Sequence, residues 1–346
     1  MADEESNRAG PGGSSPVGRG GPDDARRRRN RGLAAIAGLV VVGLGIYIGV
    51  AAGGGGTAYS PSSPSPSPVG NPLTGEGTAG HVLAVKIDNV GSAQGEQTGL
   101  NSADIVYVIR VEGGLSRYLA VFDSHNAPPK VGPVRSARQT DIPLLAPYGK
   151  VGLAYSGAIS GLLPDLAAAN LQNITPNSNP RLFSNGGSAP TFIRPAEVFA
   201  AYPGLAQAQD VGLRFGAAPA GGAAVPSVSV RMPAASFTFT ASGANWLVSV
   251  DGNAATTTDQ GRTSAVNVIV QHVQVVPGKY TDFNAGHADN EVFSQTTGQG
   301  TADFYRDGKV WHGQWSKPSD TAPTSYTVGG APMQLAPGRT WIVLAG

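Results

Sequence analysis

Charged side chains crowd two short stretches of the chain: Arg110, Glu112 and Arg117, then Arg135, Arg138 and Asp141. On a strand, Arg110 and Glu112 point to one face. Arg117 follows just across Gly113-Gly114, and Arg135 and Arg138 follow Gly132-Pro133, which imposes an irregular path. Converging guanidinium groups suit a planar carboxylate or a phosphate, because each offers a two-pronged donor fork. Outside a membrane such anions are lipid phosphates, wall polymers and peptide carboxylates. A second reading stays open, in which the arginines pair with Glu112, Asp104, Asp123 and Asp141 as a structural network. Asp88-Asn89 closes an apolar run, and strand ends often carry functional groups in α/β domains. An Asx turn is the plainer reading of that pair.

Other chemistry is poorly supplied. Ser136 and Ser156 lack the glycine elbow of a nucleophilic serine, although His125 or a lysine could serve as a base. The five histidines, His81, His125, His272, His287 and His312, are scattered without ligand spacing, so no metal site is expected. Asp282, Asn284, Gly286 and Asp289 resemble a calcium loop, but the glycine is one position early and the distal glutamate is misplaced. A solvated loop is expected there. The chain has no cysteine, which removes disulfides, thiol nucleophiles and thiolate metal sites. No cofactor is expected.

These groups need a scaffold and an address. Arg26-Arg27-Arg28-Arg29 and Arg31 run into an uncharged apolar stretch, Leu33 to Ala52. About 20 apolar residues at 1.5 Å rise span the hydrocarbon core of a bilayer. Arginines on the N-terminal side alone put residues 1–32 in the cytoplasm as a disordered tail. The sequence therefore predicts a single transmembrane signal anchor at 33–52, with the bulk of the chain extracytoplasmic. A cleaved signal peptide is the alternative, with Gly49-Val50-Ala51 as the small-residue site. Residues 53–71 form a Gly, then Ser-Pro, tether of extended geometry. The tail carries seven arginines against five acids, and the remainder is nearly neutral. A nucleic-acid binder needs a basic face, so that class is excluded.

The first folded region, 72–218, alternates strand and helix patterns. Strands are predicted at His81–Asp88, Asp104–Val111, Leu115–Asp123 and Val151–Ser156, with helices at Asp141–Tyr148, Gly161–Asn170 and Pro195–Tyr202. That mixture means an α+β or α/β domain. Ala217–Pro226 reads as a boundary. The region 226–346 is rich in strands, with tight-turn signals at Asp251-Gly252 and Asp307-Gly308, and is expected to be a small, mainly-β, antiparallel domain. Trp246, Trp311, Trp315 and Trp341 lie in it with Tyr305 and Tyr326. Exposed, they would stack on sugar rings. Core burial is the favoured reading.

Several segments are familiar together: Val85-Lys86-Ile87-Asp88-Asn89, Gly99 to Tyr107, Val111-Glu112-Gly113-Gly114-Leu115-Ser116-Arg117, Gly132 to Arg138, Tyr305 to Lys309, Gly313 to Lys317 and Leu335 to Trp341. As a set they resemble the YerB-like family of bacterial lipoproteins, two-domain proteins of unknown function, over roughly residues 72–346. The resemblance implies an extracytoplasmic, membrane-held protein and brings no catalytic residue with it. The chain departs from the pattern in having no lipid-bearing cysteine, in Ala93-Gln94-Gly95-Glu96-Gln97 and in Val108. The expected function is binding of an anionic envelope polymer, a lipid headgroup or an envelope protein through Asp88, Asn89, Arg110, Glu112, Arg117, Arg135 and Arg138. The alternative is an envelope-modifying hydrolase or transferase with Glu112 or Asp88 as general base. Purely mechanical coupling of membrane to wall is a third reading.

Overall fold

The computed structural model describes residues 70–184, 191–284 and 287–346. The tail 1–32, the segment Leu33–Ala52 read as a membrane span, and the tether up to residue 69 lie outside the described residues. Among the described residues no helix is long and apolar enough to cross a membrane.

Strand β1 (Val82–Asp88) reads Val-Leu-Ala-Val-Lys-Ile-Asp and is buried on both faces almost to its end. A continuous apolar run without alternation marks a strand covered on both sides. Strands β2 (Ile105–Arg110) and β3 (Ser116–Asp123) are of the same kind. β3 lies antiparallel between β2 and β1, while β4 (Val151–Ala154) and β5 (Leu171–Ile174) continue the sheet parallel to β1. The β2–β3 hairpin closes through Glu112–Gly114, where Gly113 and Gly114 take φ of 63° and 74°. A side chain at those angles would be strained, which accounts for the glycine pair.

The second region does not stand as a separate antiparallel set. Its last strand, Thr340–Ala345, lies parallel to β2 on one side and parallel to Asn267–His272 on the other. Gly298–Arg306, Lys309–Lys317, Ser325–Val328 and Ala331–Pro332 then extend the sheet antiparallel, and Ala223–Ala224 pairs with Lys309–Lys317, giving twelve strands in all. The first region is thus mixed α and β and the second mainly β, and their strands meet in one sheet.

Each face of that sheet has its own cover. Leu83, Val85, Val106, Tyr118, Phe122 and Trp341 pack against a smaller sheet built from Ser227–Met232, Ala235–Ser242 and Asn245–Val250, through Phe237, Phe239 and Trp246. Tyr118 and Phe239 meet Trp341 edge-on, with ring centroids 5.3 and 5.9 Å away. The opposite face is covered by short helices at Asp141–Leu145 and Leu163–Ala168, through Leu144, Leu145 and Leu166. All four tryptophans, Tyr305 and Tyr326 are buried, so they are core. Asp251 and Asp307 sit at φ of 50° and 51°, followed by Gly252 and Gly308 at 83° and 68°, as Asp-Gly hairpin turns require.

The segment around Asp282–Asp289, expected to be a solvated loop, belongs instead to a two-stranded arm, Val275–Asn284 against His287–Ser294. The base of the arm returns to the first region. The Ser294 N–H donates to Thr140 Oγ1 at 3.1 Å, and the Lys279 N–H donates to Gln139 Oε1 at 2.9 Å.

Candidate functional site

β1 and β4 run parallel only from Leu83 to Val85. Beyond that point a segment around Val134 fills the gap between them. The Asp88 N–H donates to Pro133 O, the Arg135 N–H to Lys86 O, and the Ser156 N–H to Arg135 O, at 2.8 to 3.0 Å. Arg135 and Ser136 are thereby fixed at the carboxyl ends of the parallel strands. In open α/β sheets that edge is where ligands bind.

Asp88 sits directly across from Arg117 in the β1–β3 ladder. Its Oδ1 is 3.3 Å from Arg117 Nη1 and its Oδ2 is 3.1 Å from Arg135 Nε. One carboxylate therefore serves two guanidinium groups. The Arg135 side chain is 52% exposed, while those of Asp88 and Arg117 are 15% and 8% exposed. Arg117 Nε is buried without a hydrogen-bond partner. Burial pulls the Arg117 guanidinium below its ordinary range, with the Asp88 charge opposing and Arg135 and Arg138 reinforcing.

A second, deeper set adjoins it. Arg138 grips Glu112 with two hydrogen bonds, Nε to Oε1 and Nη2 to Oε2, both 2.6 Å. Burial alone would lower the Arg138 pKa, but the hydrogen bonds and charge of Glu112 outweigh it and raise the value. Lys86, the one charge in the middle of β1, meets Asp141 at 2.6 Å with both side chains fully buried. Burial drives the Lys86 pKa down against the pull of Asp141. The other Asp141 oxygen accepts the Arg138 N–H at 2.7 Å. Glu291 enters from the arm, accepting the Gln139 N–H at 2.7 Å through Oε1 and leaving Oε2 buried without a partner. Burial, with some help from Glu112 and Asp141, pushes its carboxyl up to about 7.

The structure thus brings Asp88, Glu112, Arg117, Arg135 and Arg138 to one face, and adds Lys86, Asp141 and Glu291. Arg110 goes elsewhere. It pairs with Ser116 across the hairpin, one position out of phase with the Ile109–Arg117 pair, so it faces the smaller sheet. Extending the strand alternation from Arg110 to Glu112 fails because β2 stops at Arg110 and Glu112 begins a tight turn. Asn89 also points away, donating to Ser116 Oγ at 2.9 Å beside a cavity of about 340 Å³ lined by Gln94, Gln97 and Asn253. Lys86 was legible as a lone charge inside an apolar run. Glu291 carries no local signal, since its partner Gln139 is 152 residues away.

A further buried carboxylate, Asp104, lies at the other end of the sheet, on a cavity of about 350 Å³ that Arg339, His125 and Asn126 also line. Burial raises its pKa to about 6, against hydrogen bonds from the Asp123 N–H and the Asn126 amide. Neighbouring Asp123 is fully engaged by Asn71, Gly80 and His125. Both carboxylates hold chain segments together.

The chain belongs to the protein family of unknown function DUF3048, whose N-terminal domain matches residues 70–211 and whose C-terminal domain matches residues 227–342. A relative, "Putative lipoprotein YerB" of Bacillus subtilis (strain 168), is 45% identical over 73 residues. That stretch is 20% of this chain and 22% of the relative's length. The crystal structure of the YerB protein from Bacillus subtilis superposes with a TM-score of 0.65, over 80% of this chain and 96% of that chain, at 20% identity. The YerB-like resemblance read from the sequence segments therefore holds in both family membership and fold.

Proposed function

We propose that the chain is a membrane-held, extracytoplasmic binding protein whose Arg117–Asp88–Arg135 site takes an anionic group of an envelope polymer, a lipid headgroup or a partner protein. The observation that carries this reading is the sharing of one carboxylate by two guanidinium groups, the outer of them half-exposed. Such a site is short of negative charge and offers a fork of donors at the surface. The basic run before Leu33–Ala52 and the lipoprotein name of the Bacillus subtilis relative support the location.

Glu112 and Asp88 are poorly placed as general bases. Both Glu112 oxygens are occupied by Arg138, and each Asp88 oxygen faces a guanidinium. An enzymatic reading would fall on Glu291, whose carboxyl titrates near neutrality. Glu291 is itself carried by the arm and is buried against the first region, out of reach of a substrate.

The test is calorimetric titration of the full chain in detergent with inorganic phosphate and, separately, with a dicarboxylate. A charge-assisted hydrogen bond contributes about 1.5–3 kcal/mol, so Arg135→Ala should weaken binding by roughly tenfold to a hundredfold. Equal binding by both proteins, or none by either, rejects the reading.

A further inference from the structure

Three side chains meet on neighbouring strands of the second region. Asp303 on Gly298–Arg306 lies directly across the ladder from His312 on Lys309–Lys317. His272 ends the adjoining strand Asn267–His272, two residues beyond Val270, the cross-strand partner of Asp303. His312 Nδ1 is 2.6 Å from Asp303 Oδ1, and His272 Nε2 is 3.2 Å from Asp303 Oδ2. The side chains are 76%, 48% and 23% exposed for His312, His272 and Asp303, so the cluster is open to solvent. It lies apart from the arginine site, which is built on β1 and β3.

We propose that His272, Asp303 and His312 form a binding site for a borderline divalent transition metal, with zinc the simplest case. Two imidazoles and a carboxylate are a donor set suited to zinc, nickel or copper, and three protein ligands leave a coordination position for water. As they stand, both histidines hydrogen-bond to Asp303, one to each oxygen. Among the described residues, no three histidine, aspartate or glutamate groups are already arranged to hold a metal ion, so the site requires the side chains to turn. Each neutral imidazole would carry its proton on the ring nitrogen that faces away and offer the other nitrogen to the metal, and both exposed rings can turn about their Cβ bonds to converge on it. The carboxylate would then be a ligand where it is now an acceptor. Strand backbones fix the three Cα positions, so the rearrangement is confined to side chains.

Asp303 and His312 face each other on one hairpin, and His272 joins them only through the register of the adjoining strand.

The test is calorimetric titration of the full chain, in detergent and without a histidine tag, with zinc chloride at pH 7.5. One equivalent should bind. His312→Ala, His272→Ala and Asp303→Asn should each weaken binding by more than the roughly tenfold to hundredfold typical of losing a mere supporting partner of a ligand. Circular dichroism should be unchanged, since all three side chains are at the surface. No saturable binding, or binding that survives the His272→Ala, His312→Ala double variant, overturns the proposal.

Discussion

Replacing Glu291 with glutamine removes a carboxyl that is 1% exposed and has one oxygen without a partner. In the folded chain this group titrates at about 7, against 4.5 for an ordinary glutamate. A raised folded-state pKa means that the group's stabilising contribution is fully present below about 4.5 and is lost as pH rises through 7. The displacement of about 2.5 units corresponds to about 3 kcal/mol at 1.36 kcal/mol per unit. Glutamine keeps the Oε1 acceptor for the Gln139 N–H and has no charge to bury. Glu291→Gln should therefore match the wild-type chain near pH 4.5 and exceed it by about 3 kcal/mol at pH 8, or roughly 6–10 °C in Tm for a unit of this size. The assay is thermal unfolding of both proteins between pH 4.5 and 8, read as the difference in Tm at each pH. Asp104, which also titrates high, contributes equally to both proteins and cancels. A difference that does not change with pH, or a variant that melts below the wild type at pH 8, refutes the reasoning.

Lys86→Met leaves Asp141 buried without its cation and should cost about 3–5 kcal/mol in urea unfolding. Trp341→Ala opens a void between Tyr118 and Phe239 and should cost about 3–5 kcal/mol by the same assay, because it removes a fully packed aromatic from the middle of the sheet. Arg110→Ala, on the other face of the sheet from Asp88, should leave phosphate binding within about twofold of wild type by calorimetry, where Arg117→Ala should reduce it by at least about tenfold.

What could be read from the sequence was what neighbouring residues encode. The apolar runs of β1, β2 and β3 announce strands covered on both faces, and the Asp-Gly pairs at 251–252 and 307–308 announce their turns. The placement of Thr340–Ala345 beside β2 was hidden, because a parallel ladder between strands more than two hundred residues apart leaves no mark on either strand alone. The segment around Asp282–Asp289 was read as a loop because its Asp, Asn and Gly spacing resembles a metal loop, while its pairing shows only in the ladder register. The same limits shaped the site. Arg117 and Asp88 were found as residues, but their direct pairing depends on the β1–β3 register. Arg110 was grouped with them by counting strand alternation through a turn that breaks it. Glu291 depends wholly on a contact between distant segments, and His272 meets the Asp303–His312 hairpin pair only through the register of an adjoining strand.

The proposed binding of an anion against Arg117 and Arg135 is tested most directly by a crystal of the protein soaked with tungstate, a tetrahedral oxyanion whose heavy atom scatters anomalously. An anomalous peak with its oxygens in hydrogen-bonding reach of Arg135 and Arg117, absent from crystals of Arg135→Ala, is the expected result. A peak that persists in that variant, or a soaked crystal with no peak beside Asp88, contradicts it.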